Sequence, residues 1–353
     1  MALSVDLADV KSHIVAEKPG GDEGRIFQLN DVSNLPLYGS GDSSSRAIAQ
    51  KRLQGNIMYK HYKRQLPTAV CHLQHLIDLY DELDPKMRGY LDLLCAWPIV
   101  TVRKGADCTG FLMRDMNMQR NKQPAVNEVW QSRECITCGQ LTTWLQDEHT
   151  LMTMGSPRIP FTDKGRITFA TNLLQYYTFI HALGLVVGDI SDTNVLAYVP
   201  VPERQPKECL PRLIEVETYR FEHSLPPAPQ NDSPNFIPPE HSIEISDDTA
   251  VDSYANAHDQ ARAAMQTKAT DVYKAALIIL RLFDDEPGDE ASANRYYEKP
   301  GERYALHRHI SDRLNPRIAD ALLAALSESP ADRPAMKELS ELFTSFIRHE
   351  ARA

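Results

Sequence analysis

Basic residues are in short supply in this chain. Lysine and arginine number 38 against 48 aspartates and glutamates, a formal net charge of -10 over 353 residues. A general nucleic-acid-binding surface needs a basic excess, so none is expected. Long apolar runs are missing too. Nothing approaches the ~20 consecutive apolar residues of a membrane helix, and the longest stretches, residues 183–187 and 275–280, are sized for a core. The segment before residue 20 scatters Asp6, Asp9, Lys11, His13 and Glu17 among its apolar residues and lacks the unbroken core of a signal peptide. Cysteine is scarce, six in all, and only Cys135 and Cys138 stand close together. That excludes a disulfide framework and makes a reducing cytoplasm the default. The C-x-x-C spacing fits half a zinc site or a redox motif, but no second pair and no histidine at finger spacing accompanies it. We read it as coincidence.

What is present looks globular. The hydrophobic share is 42% and the charged share 24%, both ordinary, and the length suits two lobes or two compact domains. Residues 1–25 read as a loosely ordered leader. Residues 26–116 alternate short apolar runs with turns around one helical stretch, residues 66–83, where Leu73, Leu76, Ile77 and Tyr80 recur at helical spacing. Pro98-Ile99-Val100-Thr101-Val102 and residues 108–113 read as two strands about a turn. Strand character stops near residues 114–117, the expected hinge. From residue 140 the pattern is mostly helical. Ile167, Ala170, Leu173, Leu174, Tyr177 and Ile180 stripe a helix that Gly184 should end. Residues 269–283, 316–325 and 335–346 read as further helices, separated by irregular stretches at 199–211, 223–239 and 246–259. The expected class is α+β, with a small β-rich part over residues 26–116 and a helical part over 117–350.

The most informative segment follows that striped helix: Gly188-Asp189-Ile190-Ser191-Asp192-Thr193-Asn194. An Asp five residues before an Asn, on a loop between helix and strand, matches a need of phosphoryl transfer. One carboxylate orients the attacking hydroxyl, and a carbonyl-bearing side chain beside it ligates magnesium. Downstream stand Leu213-Ile214-Glu215-Val216-Glu217, then Pro238-Pro239-Glu240, then Ala269-Thr270-Asp271-Val272-Tyr273, then Ser329-Pro330-Ala331-Asp332-Arg333-Pro334. In this order the segments resemble the protein kinase landmarks: catalytic loop, metal-binding strand, Ala-Pro-Glu, the buried helix whose Asp braces the loop, and the closing Arg-Pro.

The resemblance implies a bilobal kinase-like fold and a set of roles. Asp189 orients the acceptor hydroxyl, and Asn194, Glu215 and Glu217 hold Mg2+ or Mn2+. Lys60, in Asn56-Ile57-Met58-Tyr59-Lys60, is expected on the phosphates of ATP. Gly39 and Gly41, in Tyr38-Gly39-Ser40-Gly41-Asp42-Ser43-Ser44, resemble a glycine-rich loop, and Arg114, Asp115 and Met116 at the hinge are expected to meet the nucleotide. A Glu on the helix from residue 66 should pair with Lys60, with Glu82, Asp78 and Asp81 as candidates. Glu240 should pair with Arg333, and Asp271 should accept from the amides around residues 187–189. Gly-Asp in the loop, Ala96-Trp97-Pro98 and Pro-Pro-Glu further resemble a bacterial kinase-like family. Its members read Gly-Asp-Leu-Asn-x-x-Asn at the loop, and some carry helix-hairpin-helix segments or are encoded in tellurite- or stress-resistance clusters.

Departures stand out as well. Ser191 replaces the loop lysine, Ser44 the third glycine, and Glu215 and Glu217 stand where that family has Asp. A glutamate's extra methylene moves its oxygens, and magnesium tolerates little geometric error. The sequence therefore leaves three readings: an ATP-dependent Ser/Thr protein kinase, a pseudokinase serving as a nucleotide-binding or regulatory module, and a small-molecule phosphotransferase. The expected partners are a protein substrate or a co-encoded regulatory protein.

Overall fold

The computed structural model describes residues 3–18, 24–39, 41–63, 69–116, 135–146, 162–198, 210–224, 232–241, 265–283 and 300–350. Residues 1–123 and 212–217 form one compact unit, and residues 124–211 and 218–353 a second.

In the first unit β1 (Ser4–Asp6) runs into α1 (Leu7–Lys11), followed by β2 (Ile14–Lys18) and β3 (Gly24–Leu29). Helix α2 (Ser43–Arg52) precedes β4 (Ile57–Tyr62). Helices α3 (Ala69–Glu82) and α4 (Pro85–Leu94) come next, then β5 (Val100–Lys104) and β6 (Asp107–Arg114). The strands make one six-stranded sheet in the order β1-β5-β6-β4-β3-β2. Side chains alternate faces along a strand. On β4, Ile57 and Tyr59 enter a cluster with Leu3, Val5, Leu29, Val100 and Leu112, while Met58 and Lys60 are buried on the opposite face. Covering both faces explains why β4 reads as an apolar run interrupted by Lys60 and His61. The stripe expected on the helix at 66–83 is buried on α3, and Trp97 Nε1 donates to Leu76 O at 2.9 Å.

Two expectations are overturned here. Residues 3–18 are no loose leader: Leu3, Val5, Leu7 and Val10 belong to the sheet's core cluster. The charges between them mark a helix start, with Asp6 capping α1 by accepting from Ala8 N at 2.8 Å. Nor does a single helix accompany the strands of this unit. The edge strand β1 lies parallel to β5, the other neighbouring pairs are antiparallel, and α1, α2 and α4 join α3.

Among the described residues of the second unit come first β7 (Cys135–Thr137) and α5 (Cys138–Gln146), then α6 (Asp163–Ala182), β8 (Leu185–Val186) and β9 (Val195–Tyr198). Short strand β10 (Pro211–Leu213) leads the chain into the 212–217 segment, and β11 (Arg220–Phe221) pairs antiparallel with β8. Helices α7 (Lys268–Phe283), α8 (Pro300–Arg313), α9 (Pro316–Ala325) and α10 (Met336–Glu350) complete it. Thr162 caps α6 by accepting from Gly165 N at 3.3 Å, and Gly184 at φ +75° follows its end. From Thr270 to Leu280 every side chain of α7 is buried, as suits a helix that is apolar nearly all round. Residues 66–68, 117, 199–209, 225–231 and 246–259, on which parts of the expected helix, hinge and irregular stretches fall, lie outside the described residues. Among the described residues no helix is long and apolar enough to cross a membrane.

Candidate active site

In the second unit the loop after β8 is held from below by α7. Asp271, fully buried, accepts from Val187 N and Gly188 N, both at 2.8 Å, and its Oδ2 lies 2.9 Å from His181 Nε2. This is the contact expected of Asp271. Gly188 sits at φ +78°, a left-handed conformation that strains any residue with a Cβ. Its carbonyl also accepts from Lys274 Nζ at 2.7 Å. A glycine beside Asp189 thus lets both of its backbone groups bond to one helix.

Asp189 and Asn194 meet on this loop. Asn194 Nδ2 donates to the Asp189 carbonyl at 3.0 Å and to its carboxylate Oδ2 at 2.8 Å. Ser233 Oγ donates to the other carboxylate oxygen at 3.3 Å. Next to Ser233, Asp232 collects Lys274 at 2.6 Å, His241 at 2.7 Å and Gln266 at 2.7 Å. Burial works to raise the Asp232 pKa, but His241, Lys274 and Gln266 outweigh it and leave the group below the usual Asp value. Asp192, one position past Ser191, pairs with Arg281 at 3.1 Å. Burial pushes the Asp192 carboxyl up, against the pull of Arg281. Ser233, Asp232 and Lys274 were not singled out from the sequence. A lone lysine in the apolar run of α7 was the available signal.

The first unit holds a second cluster. Lys60, 3% exposed on β4, contacts the carboxylates of both Glu215 and Glu217. Burial opposes the charge on Lys60, yet Glu217 and Glu215 overcome it and hold the ammonium above its ordinary pKa. For Glu217 burial prevails over the pull of Lys60 and pushes the carboxyl up to about 7, with the charge on Glu215 adding to the push. Glu215 adopts φ +60°, a left-handed conformation costing a non-glycine residue roughly 1–2 kcal/mol and met most often at functional sites. No acid of α3 is among the partners of Lys60 in the described residues. Asp78 is engaged by Gln74, and Glu82 and Asp81 lie elsewhere on the helix.

Gly39 and Gly41 do not form the expected glycine-rich loop. They lead into α2, whose cap is Asp42, accepting from Ser45 N at 2.7 Å. Arg46 donates to the carbonyls of Leu37, Gly39 and Gly41, and a Cβ at Gly41 would meet Leu3 Cγ at 2.7 Å. These glycines serve packing. Residues 19–23, between the paired strands β2 and β3, lie outside the described residues. Gly24 lies against Lys60: a Cβ there would stand 3.1 Å from Lys60 Cε.

At the expected hinge Arg114 lies 3.5 Å from Asp92, and the Asp115 amide is spent on Asn56 O at 2.9 Å. With Asn56, Asp92 and Arg212, residues Arg114, Asp115 and Met116 line a cavity of about 530 Å³ within the first unit.

The metal expectation divides. Asn194 turns its amide nitrogen to Asp189, which points its oxygen elsewhere, and the Glu215 side chain is 25% exposed. Both suit a hard cation that takes oxygen ligands and keeps some of its waters. Glu217 does not fit, being buried and closed by Lys60. Among the described residues no three His, Cys, Asp or Glu side chains gather as a metal site, and Cys135 and Cys138 are buried free thiols.

No family model matches this chain, and no curated protein sequence matches it. Among solved structures it is similar to the Toxoplasma gondii specific rhoptry antigen kinase domain, at 11% sequence identity and a TM-score of 0.53, covering 97% of this chain and 81% of that one. At that identity the likeness speaks for the fold alone. A β-sheet unit followed by a helical unit, with this structural neighbour, makes the chain an α+β protein with a protein-kinase-like fold.

Proposed function

We propose that the chain transfers phosphate from ATP to a serine or threonine hydroxyl of a protein, slowly, with Asp189 orienting the acceptor. The observation that carries this is the bond from Asn194 to the Asp189 carboxylate, on a loop braced twice by Asp271. Phosphoryl transfer asks little of the protein beyond positioning and charge stabilisation. A loop tied by buried hydrogen bonds supplies the positioning. Asp189, with one oxygen held by Asn194 and the other by Ser233, is fixed to receive a hydroxyl hydrogen bond. Asn194 in the second unit and Glu215 in the first are each a candidate oxygen ligand for magnesium or manganese, an ion that would neutralise phosphate charge when bound. Lys60 is the cation for the phosphates.

The experiment is magnesium-dependent ATP binding and autophosphorylation by the purified chain beside Asp189→Ala. Labelling that disappears in Asp189→Ala with ATP binding retained supports the reading. No labelling of itself or of a co-encoded protein, with either metal, refutes it. One observation favours a second reading, a pseudokinase acting as a regulatory module: both acids next to Lys60 are engaged by it. ATP binding without any transfer would decide for that.

A further inference from the structure

Glu215 and Glu217 are two residues apart and both reach Lys60, but their surroundings differ. Glu217 sits on the 3-10 turn Val216–Thr218, anchored by the fully buried Val216, and is itself 7% exposed. A buried carboxylate is retained only when paired, and Lys60 is its ion-pair partner among the described residues. A magnesium ion, which keeps several waters, has no room to do so there. Glu215 is the more open of the two, and its left-handed backbone turns the chain between the pair. Lys60 is confined on its other side, because Gly24 packs against its side chain.

From this we infer that Glu217 is the fixed counter-ion of Lys60 and that Glu215 alone of the two is released to a divalent cation. In protein kinases a strand lysine pairs with a glutamate of a nearby helix, and the placement of that helix controls the pair. In this chain the carboxylate comes from the 216–218 turn, and among the described residues no carboxylate of α3 reaches Lys60. Glu217 is thus a positioning residue that acts through Lys60. The inference rests on the nucleotide-binding reading above for its role, though not for its test.

The test uses the full chain with Glu217→Gln and Glu215→Gln, and ATP as the probe, once with excess EDTA and once with manganese. Loss of a charged hydrogen bond to Lys60 should weaken ATP binding about tenfold or more in Glu217→Gln, equally with and without metal. Glu215→Gln should erase the gain in affinity that manganese gives the parent. The reverse pattern, with Glu217→Gln erasing the manganese gain and sparing metal-free binding, overturns the inference. If the parent binds no ATP at all, the kinase reading fails and melting decides the pairing. Lys60→Met should lower Tm, and adding Glu217→Gln should restore part of the loss while adding Glu215→Gln does not. Restoration by Glu215→Gln alone, or by neither, overturns the inference.

Discussion

Arg333 grips Glu240 with both ends of its guanidinium, Nη1 to Oε1 at 2.7 Å and Nη2 to Oε2 at 2.6 Å. Its Nε donates to Ser327 O at 2.9 Å, and its charge lies 5.0 Å over the Tyr273 ring. The Arg333 side chain is fully buried, so its loss leaves a half-buried carboxylate without compensation. Arg333→Ala should destabilise the chain by about 3–5 kcal/mol, measured by urea unfolding. Arg333→Lys should recover only part of this, because an ammonium cannot make the planar double contact. An unchanged midpoint for Arg333→Ala would show that the pair bolts nothing.

Asp271→Ala strands the Val187 and Gly188 amides, which are buried and bonded to it. Each orphaned buried donor costs about 1–3 kcal/mol. Hydrogen exchange should show those two amides losing protection ahead of the rest of α6 and β8. Protection that survives would mean that other contacts hold the loop.

Lys60→Ala should weaken ATP binding and transfer together, unlike Asp189→Ala. Any transfer by the parent should run faster with manganese than with magnesium, because magnesium demands the stricter geometry and a glutamate stands at position 215. Faster turnover with magnesium would count against Glu215 as a ligand.

Asp232 titrates below its ordinary value in the folded chain, with burial outweighed by His241, Lys274 and Gln266. The unfolded chain therefore takes up this proton first as pH falls. The stabilisation is complete above the usual Asp pKa and is lost as pH drops through the folded value. Asp232→Asn should flatten the acid limb of a stability–pH curve below about pH 4. An acid limb of unchanged slope would remove Asp232 from the account.

Gly110 lies on β6 opposite His61, at φ +152°. A Cβ there would stand 1.9 Å from the Lys60 carbonyl oxygen. Gly110→Ala must displace β4, the strand that presents Lys60, at a cost of about 1–3 kcal/mol or more. Thermal melting checks the stability, and ATP affinity should fall alongside it.

The helical unit was largely legible because its signals are local. The α6 stripe, the stop at Gly184 and the buried run of α7 each follow from a 3.6-residue period. Asp271 and the Glu240–Arg333 pair were found through motif order. The sheet unit was harder. Short strands such as β1 and β2 carry few residues of alternation, and nothing local tells that β1 pairs with β5, nearly a hundred positions away. Gly39 and Gly41 misled because a capped helix entry and a phosphate loop both use glycine next to Asp or Ser. The acid for Lys60 was sought on a helix close in sequence, whereas it comes from residues 155 and 157 positions later.

Residues 212–217 belong to the first unit although the whole 124–211 stretch of the second is made before them. They bring Leu213, whose carbonyl accepts from Ala96 N at 2.9 Å, and both carboxylates for Lys60. On the ribosome, the nascent sheet must therefore wait for them. At synthesis rates of about 5–20 residues per second the delay is roughly 5–20 s. Stalled chains ending at residue 123 should be cut by protease more readily within β4 than chains extended past residue 217. Equal resistance would mean that the sheet closes over Lys60 without its acids. Otherwise the gene offers no contiguous piece from which this unit can be made whole.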